Sequence, residues 1–165
     1  MSLAPQRRLS LILIVVIAAL VLAGAVFFIV FFTNSAGRTL IIKDAVSGKV
    51  YGKWTLDENG EFMIEFVHSV NQSPVRETFR AEGRMIRTYS VRFSSFGAGM
   101  LSDPGEGQVM SRDGDALVIT GFSAKSRELN YIVGTVSDHL LLINGETVSL
   151  RDLCGRNAHI KIYIQ

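Results

Sequence analysis

Between Leu11 and Phe32 the chain reads L-I-L-I-V-V-I-A-A-L-V-L-A-G-A-V-F-F-I-V-F-F, with no charged or amide side chain. At about 1.5 Å per residue such a run makes a helix of roughly 33 Å, enough to cross about 30 Å of hydrocarbon. A cleaved secretory signal has a shorter apolar region, about 7–15 residues, followed by small residues at the cut. Ala23-Gly24-Ala25 has the small-x-small form, but Val26 to Phe32 continues the run beyond it. A cut there would leave V-F-F-I-V-F-F as a bare apolar terminus. Residues 11–32 are therefore expected to be an uncleaved transmembrane anchor, preceded by a cytoplasmic tail over residues 1–10. Orientation follows from the flanks. Arg7 and Arg8 precede the run and no acid does, while residues 33–37 carry no charge. The positive-inside rule leaves the N-terminus in the cytoplasm and exports the rest. Residues 33–38 read as a linker and residues 39–165 as an extracytoplasmic domain. Gly24 between two alanines offers a small-residue patch for close helix approach.

The chain as a whole is globular in composition. A chain with 48% hydrophobic and 19% charged residues has enough apolar side chains to offset the entropy of ordering. Its single cysteine, Cys154, excludes a disulfide framework and a zinc site built on several thiolates. The net charge of +2 is accounted for by Arg7 and Arg8, so the body is neutral and has no footprint for a nucleic-acid backbone. From Leu40 onward, two-residue alternation and β-branched runs predict strands over residues 40–43, 49–56, 61–69, 75–81, 85–94, 116–120, 132–135, 140–143, 147–150 and 159–164. Ser47-Gly48, Asn59-Gly60 and Asn144-Gly145 supply positive φ for tight turns, and the last is the strongest hairpin signal. Residues 150–153 suit one helical turn. About ten short strands without intervening helices predict an all-β fold, a compact sandwich or barrel-like domain behind one N-terminal transmembrane helix. Residues 94–111 are too long and glycine-rich for a plain turn, and are expected to offer a contact surface.

The densest chemistry lies in F-M-I-E-F-V-H-S-V-N-Q-S-P-V-R-E-T-F, residues 62–79. Alternation puts Phe62, Ile64, Phe66 and His68 on one face, and Val75, Glu77, Phe79 and Ala81 share a face on the next strand. If Ser69 lies opposite Pro74, His68 faces Val75 and Phe66 faces Glu77, leaving His68 and Glu77 diagonal neighbours among aromatics, and a slightly longer connection is expected to put them directly opposite. A buried carboxylate demands a partner. The pair either pins the hairpin or forms a site that binds a polar ligand or moves a proton. Other chemistries lack their signatures. His68 and Ser69 point to opposite faces of a strand, and no G-x-S-x-G elbow exists. His68, His139 and His159 lack metal-ligand spacing, with Asp138-His139 expected in the turn before the residue-140 strand. Gly97-Ala98-Gly99 is followed by no Lys-Ser/Thr and no helix, so it is no phosphate loop. No metal or cofactor is expected.

H-S-V-N-Q-S-P-V-R-E (residues 68–77), F-G-A-G-M (residues 96–100), L-L-L-I-N-G-E-T-V-S-L and I-K-I-Y-I together resemble a bacterial and archaeal family, domain of unknown function 1850, over residues 62–164. The matching motif residues are His68, Ser69, Pro74, Glu77, Gly97 and Gly99. The resemblance implies a small protein with one N-terminal export or anchor segment and no established biochemical activity. It further implies a gene often placed beside tripartite ATP-independent periplasmic (TRAP) transporters of the TAXI subtype. The expectation is a single-pass accessory protein of the inner membrane, not an enzyme, docking on the permease or the TAXI solute-binding protein. Two alternatives stand beside it: a tethered receptor for a small anionic solute using His68, Arg76 or Arg87 near residues 97–107, and a hydrolase or metalloenzyme built on His68 and Glu77.

Overall fold

A computed structural model describes residues 16–25, 37–70, 72–94 and 103–165. The chain divides into two compact units, Met1–Gly37 and Arg38–Gln165. In the first, residues 16–25 form a helix, α1, with exposed side chains. No helix among the described residues is long and apolar enough to cross a membrane, and the rest of the 11–32 run lies outside them.

The second unit is all-β. Its elements are β1 (Thr39–Asp44), β2 (Val50–Thr55), β3 (Glu61–Val67), β4 (Pro74–Glu82), β5 (Met85–Phe93), β6 (Val109–Asp113), β7 (Ala116–Thr120), β8 (Lys125–Ser126), β9 (Glu128–Ile132), β10 (His139–Ile143), β11 (Glu146–Ser149), the short helix α2 (Leu150–Cys154) and β12 (His159–Ile164). One sheet has the order β2-β1-β12-β9. The other runs β11-β10-β3-β4-β5-β7-β6, with β8 also on β5. All ladders are antiparallel. Among the described residues both sheets keep free edges, which makes the domain a sandwich and not a closed barrel.

Alternation explains the core. Leu40 and Ile42 of β1 and Ile160, Ile162 and Ile164 of β12 meet Phe62 and Ile64 of β3, Phe79 and Ala81 of β4, and Leu141 and Ile143 of β10. Each large side chain sealed there contributes about 1.5–3 kcal/mol of transfer free energy. The expected turn chemistry is present. Asn144 and Gly145 both take positive φ, 51° and 80°, in the two-residue loop between β10 and β11. Asn144 also ties this turn to the end of β2, its Nδ2 donating to the Thr55 carbonyl at 2.7 Å.

Three elements depart from the sequence reading. β6 occupies the end of the stretch expected to be one loop, and its largely exposed V-M-S-R-D carries no inward apolar row to announce it. β8 spans two residues and has no pattern at all. β9 lies earlier than residues 132–135, because Leu129 and Tyr131 form its inward row. Val133 is fully buried in the loop that follows.

Antiparallel order gives the domain two distinct ends. The connection 68–73, the loop 133–138 and α2 gather at one. The Asn59-Gly60, Gly83-Arg84 and Asn144-Gly145 turns gather at the other. The chain enters at this second end, where Arg38 donates to the carbonyls of Ala81 and Glu58, both at 2.7 Å.

Candidate functional site

Glu77 stands on the inward face of β4, in the row of Val75 and Phe79, with Ile64 and Val91 as its ladder neighbours. Its Oε2 accepts a hydrogen bond from the Tyr131 hydroxyl of β9, which belongs to the other sheet. A carboxylate and a phenol thus cross-link the two layers. Burial pushes Glu77 above the usual carboxylate range, and the Tyr131 hydroxyl partly offsets this. Tyr131 is pushed up by burial and by the neighbouring Glu77 charge, so its proton stays in place.

His139 completes the cluster. As the first residue of β10 it pairs with Phe66 and stacks on that ring, with centroids 4.9 Å apart, while presenting an edge to Tyr131 at 6.0 Å. Its Nδ1 accepts the Gly134 N–H at 3.1 Å, which assigns the ring proton to Nε2 in the neutral form. Burial holds its pKa below the ordinary histidine value. Gly134 is required by close approach, since a Cβ there would lie 2.0 Å from the Ser137 carbonyl oxygen. Gly134→Ala must therefore displace the loop that orients His139, and a cost of about 1–3 kcal/mol is expected in chemical denaturation.

The sequence-derived motif residues separate. His68 lies in the connection and not on a strand: its N–H donates to the Ser73 carbonyl at 2.9 Å, and its Nδ1 accepts the Val70 N–H at 3.3 Å. Ser69 is exposed in the same connection, and Pro74 opens β4 opposite Val67. Gly97 and Gly99 lie outside the described residues. The expected pairing of His68 with Glu77, diagonal or directly opposite, is corrected by the register. Phe66 faces Val75 and Ile64 faces Glu77, so the connection runs from His68 to Ser73. Four strand positions, about 13 Å, separate the levels of His68 and Glu77. The shift is two residues, which keeps every side chain on its expected face while changing its neighbours. Asp138-His139 is corrected as well. Asp138 precedes the strand and caps α2, accepting from the Ser149 hydroxyl at 2.5 Å and the Arg151 N–H at 3.0 Å, but His139 belongs to β10 and faces inward. Arg76 and Arg87 are ion-paired, with Glu65 at 2.5 Å and Glu82 at 2.6 Å. Among the described residues no group of three or more His, Cys, Asp or Glu is placed to hold a metal ion.

The end that carries the motif has an apolar rim. Val70 and Val136 are 65% and 91% exposed, and Val67 and Ile132, the last residues of β3 and β9, are exposed as well. The Ser137 hydroxyl donates to the Val67 carbonyl at 2.9 Å and ties the 133–138 loop to the end of β3. Beside them lies a concavity of about 160 Å³ lined by Glu65, Phe66, Val67, Pro74, Asp138 and Leu140. Phe93 lies opposite Val75, so the strand that precedes the F-G-A-G-M motif also ends here.

These features define a small antiparallel β-sandwich with a polar cross-link between its sheets and an apolar rim at one end. A family model described as Domain of unknown function (DUF1850) matches residues 62–150, more than half of the chain. The chain belongs to that family. The matched stretch holds the whole of the larger sheet except the first residue of β3, together with β9. No curated protein and no solved structure matches the chain.

Proposed function

We propose that this protein is a membrane-anchored, extracytoplasmic accessory subunit of a TAXI-type TRAP transporter, acting by docking and not by catalysis. Residues 11–32 serve as the anchor, with residues 1–10 in the cytoplasm and the β-domain outside the inner membrane. The observation that carries the docking reading is the rim of exposed valines at the end bearing the His68–Pro74 motif. Scattered exposed apolar residues are ordinary, but several on two loops and the strand ends beside them, next to a concavity, suit a protein partner. The transporter class comes from the setting that the family resemblance implies. The partner is the permease, the TAXI solute-binding protein or both.

Affinity purification of the tagged full chain from native membranes tests this. The expected result is co-recovery of a permease or a solute-binding protein. Val70→Asp combined with Val136→Asp should reduce that recovery severalfold while shifting stability by no more than about 0.5 kcal/mol per site, the usual range for exposed positions. Recovery of neither partner from native membranes would refute the reading. Mass determination of the membrane-extracted chain tests the anchor separately, since loss of the first 25 residues would identify a cleaved signal.

A further inference from the structure

Away from the motif end, a second concavity of about 600 Å³ opens between the β4–β5 turn, the β8–β9 link and the last residues of β12. Its volume is within the range of about 300–1,000 Å³ typical of small-ligand sites. Three cations line it: Lys43, Arg84 and Arg127. The fold assembles them from distant parts of the chain. Glu82 pairs with Met85, so Gly83 and Arg84 form a two-residue hairpin turn, and Gly83 takes the positive φ of 62° that lifts Arg84 to its tip. Ile86 pairs with Ser126, which brings Arg127 beside Met85. Arg127 is the single residue between β8 in one sheet and β9 in the other. Glu128 then pairs with Tyr163, and the Lys43 ammonium lies 4.8 Å from the centre of the Tyr163 ring.

Lys43 shares the field of Glu128, but the neighbouring carboxylates form no ion pair with the two arginines. Glu128, the acid in the lining, is bound by Lys161 at 2.7 Å. Glu82 is bound through both oxygens, by Arg87 and by Lys125, each at 2.6 Å. Arg76, Arg80, Arg87 and Arg92 all have carboxylate partners. Neither Arg84 nor Arg127 has a hydrogen-bond or ion-pair partner among the described residues. In a body of balanced charge, two unpartnered guanidinium groups and an ammonium facing one concavity mark a place for negative charge. Guanidinium groups recognise carboxylate and phosphate oxygens in bidentate fashion, and Tyr163, Met85 and Ile164 supply apolar contact beside them.

We propose that this groove is an anion-binding site that takes a carboxylate or phosphate group through Arg84 and Arg127, with Lys43 supporting the charge. It is distinct from Arg76 and Arg87, and it goes beyond the docking reading without resting on it. The test measures thermal unfolding of the full chain in lipid nanodiscs, with two sources of the anion. Inorganic phosphate and citrate are titrated into phosphatidylcholine discs, with chloride held constant. Discs half composed of phosphatidylglycerol supply the anion as a headgroup. A raised midpoint with phosphate or citrate, weakened about tenfold or more in apparent affinity by Arg84→Ala/Arg127→Ala, supports a soluble-anion site. The same difference confined to phosphatidylglycerol discs supports a headgroup site. Arg112→Ala/Arg156→Ala, which removes two exposed arginines outside the groove, should leave the response intact. The proposal is overturned if neither source shifts the midpoint, or if both double variants respond as the wild type does.

Discussion

Replacing Phe62 with alanine is expected to destabilise the β-domain by about 3–5 kcal/mol, the usual cost of emptying a buried aromatic site. Phe62 is 1% exposed and stacks on Phe79, centroids 5.3 Å apart, across the β3–β4 ladder. Ile143 faces it from β10 on the other side, and all three belong to the core that the sheets share. The cavity left at that position would be walled by two paired strands and by the opposing sheet, which cannot easily collapse into it. Against a total stability of about 5–15 kcal/mol, the loss would bring the domain close to its unfolding midpoint at moderate urea concentrations. Met63→Ala on the opposite face of β3 should cost much less, because that side chain is half-exposed. Equal losses at the two positions would contradict the assignment of inner and outer faces on which the fold rests.

That assignment was readable from the chain, and the reason is local. In β3 and β4 apolar residues recur at every second position, and that alternation dictates which face turns inward, whereas β10, H-L-L-L-I, is apolar throughout after His139 and takes its inward row from its pairing with β3. Asn144-Gly145 likewise needs only its own backbone preference to form a two-residue hairpin turn. The neighbours of Glu77 were not readable. A two-residue slip leaves the parity of a hairpin unchanged, so the pattern cannot distinguish Phe66 opposite Glu77 from Ile64 opposite Glu77. The partner of Glu77 lay further out of reach, because it depends on β9 joining the other sheet. Tyr131 and His139 did leave a trace: each falls in register with the inward residues of its own strand, Leu129 in one case and Leu141 and Ile143 in the other. β6 and β8 left almost none, since exposed strands of two to five residues owe their form to the neighbours they pair with and not to their own composition.

Tyr131→Phe should destabilise the domain by about 1–3 kcal/mol at neutral pH, because it deprives an enclosed carboxylate of its donor while preserving the ring. The pH dependence identifies the carboxylate as the cause. Folding raises the pKa of Glu77 above 4.5, so the native state binds the proton more tightly than the unfolded state does. This contribution to stability is fully present below pH 4.5 and is lost as pH rises through the folded-state pKa. His139 acts in the opposite direction. Its pKa is depressed below 6.5 by burial, with Asp138 opposing the shift and Arg151 adding to it. Its contribution is complete above pH 6.5 and is lost as pH falls through the folded-state pKa. Glu77→Gln removes the first slope and leaves the second, while its side-chain carbonyl can still accept from Tyr131. The stability of the Gln variant relative to wild type should therefore climb from about pH 4.5 and then level off. A difference independent of pH would mean that Glu77 titrates as an ordinary exposed acid. The same variant separates scaffold from site. If Glu77→Gln folds as well as the wild type at neutral pH and still recovers the proposed transport partner, the carboxylate serves the sandwich; if it folds and recovery falls, the carboxylate serves the proposed partner.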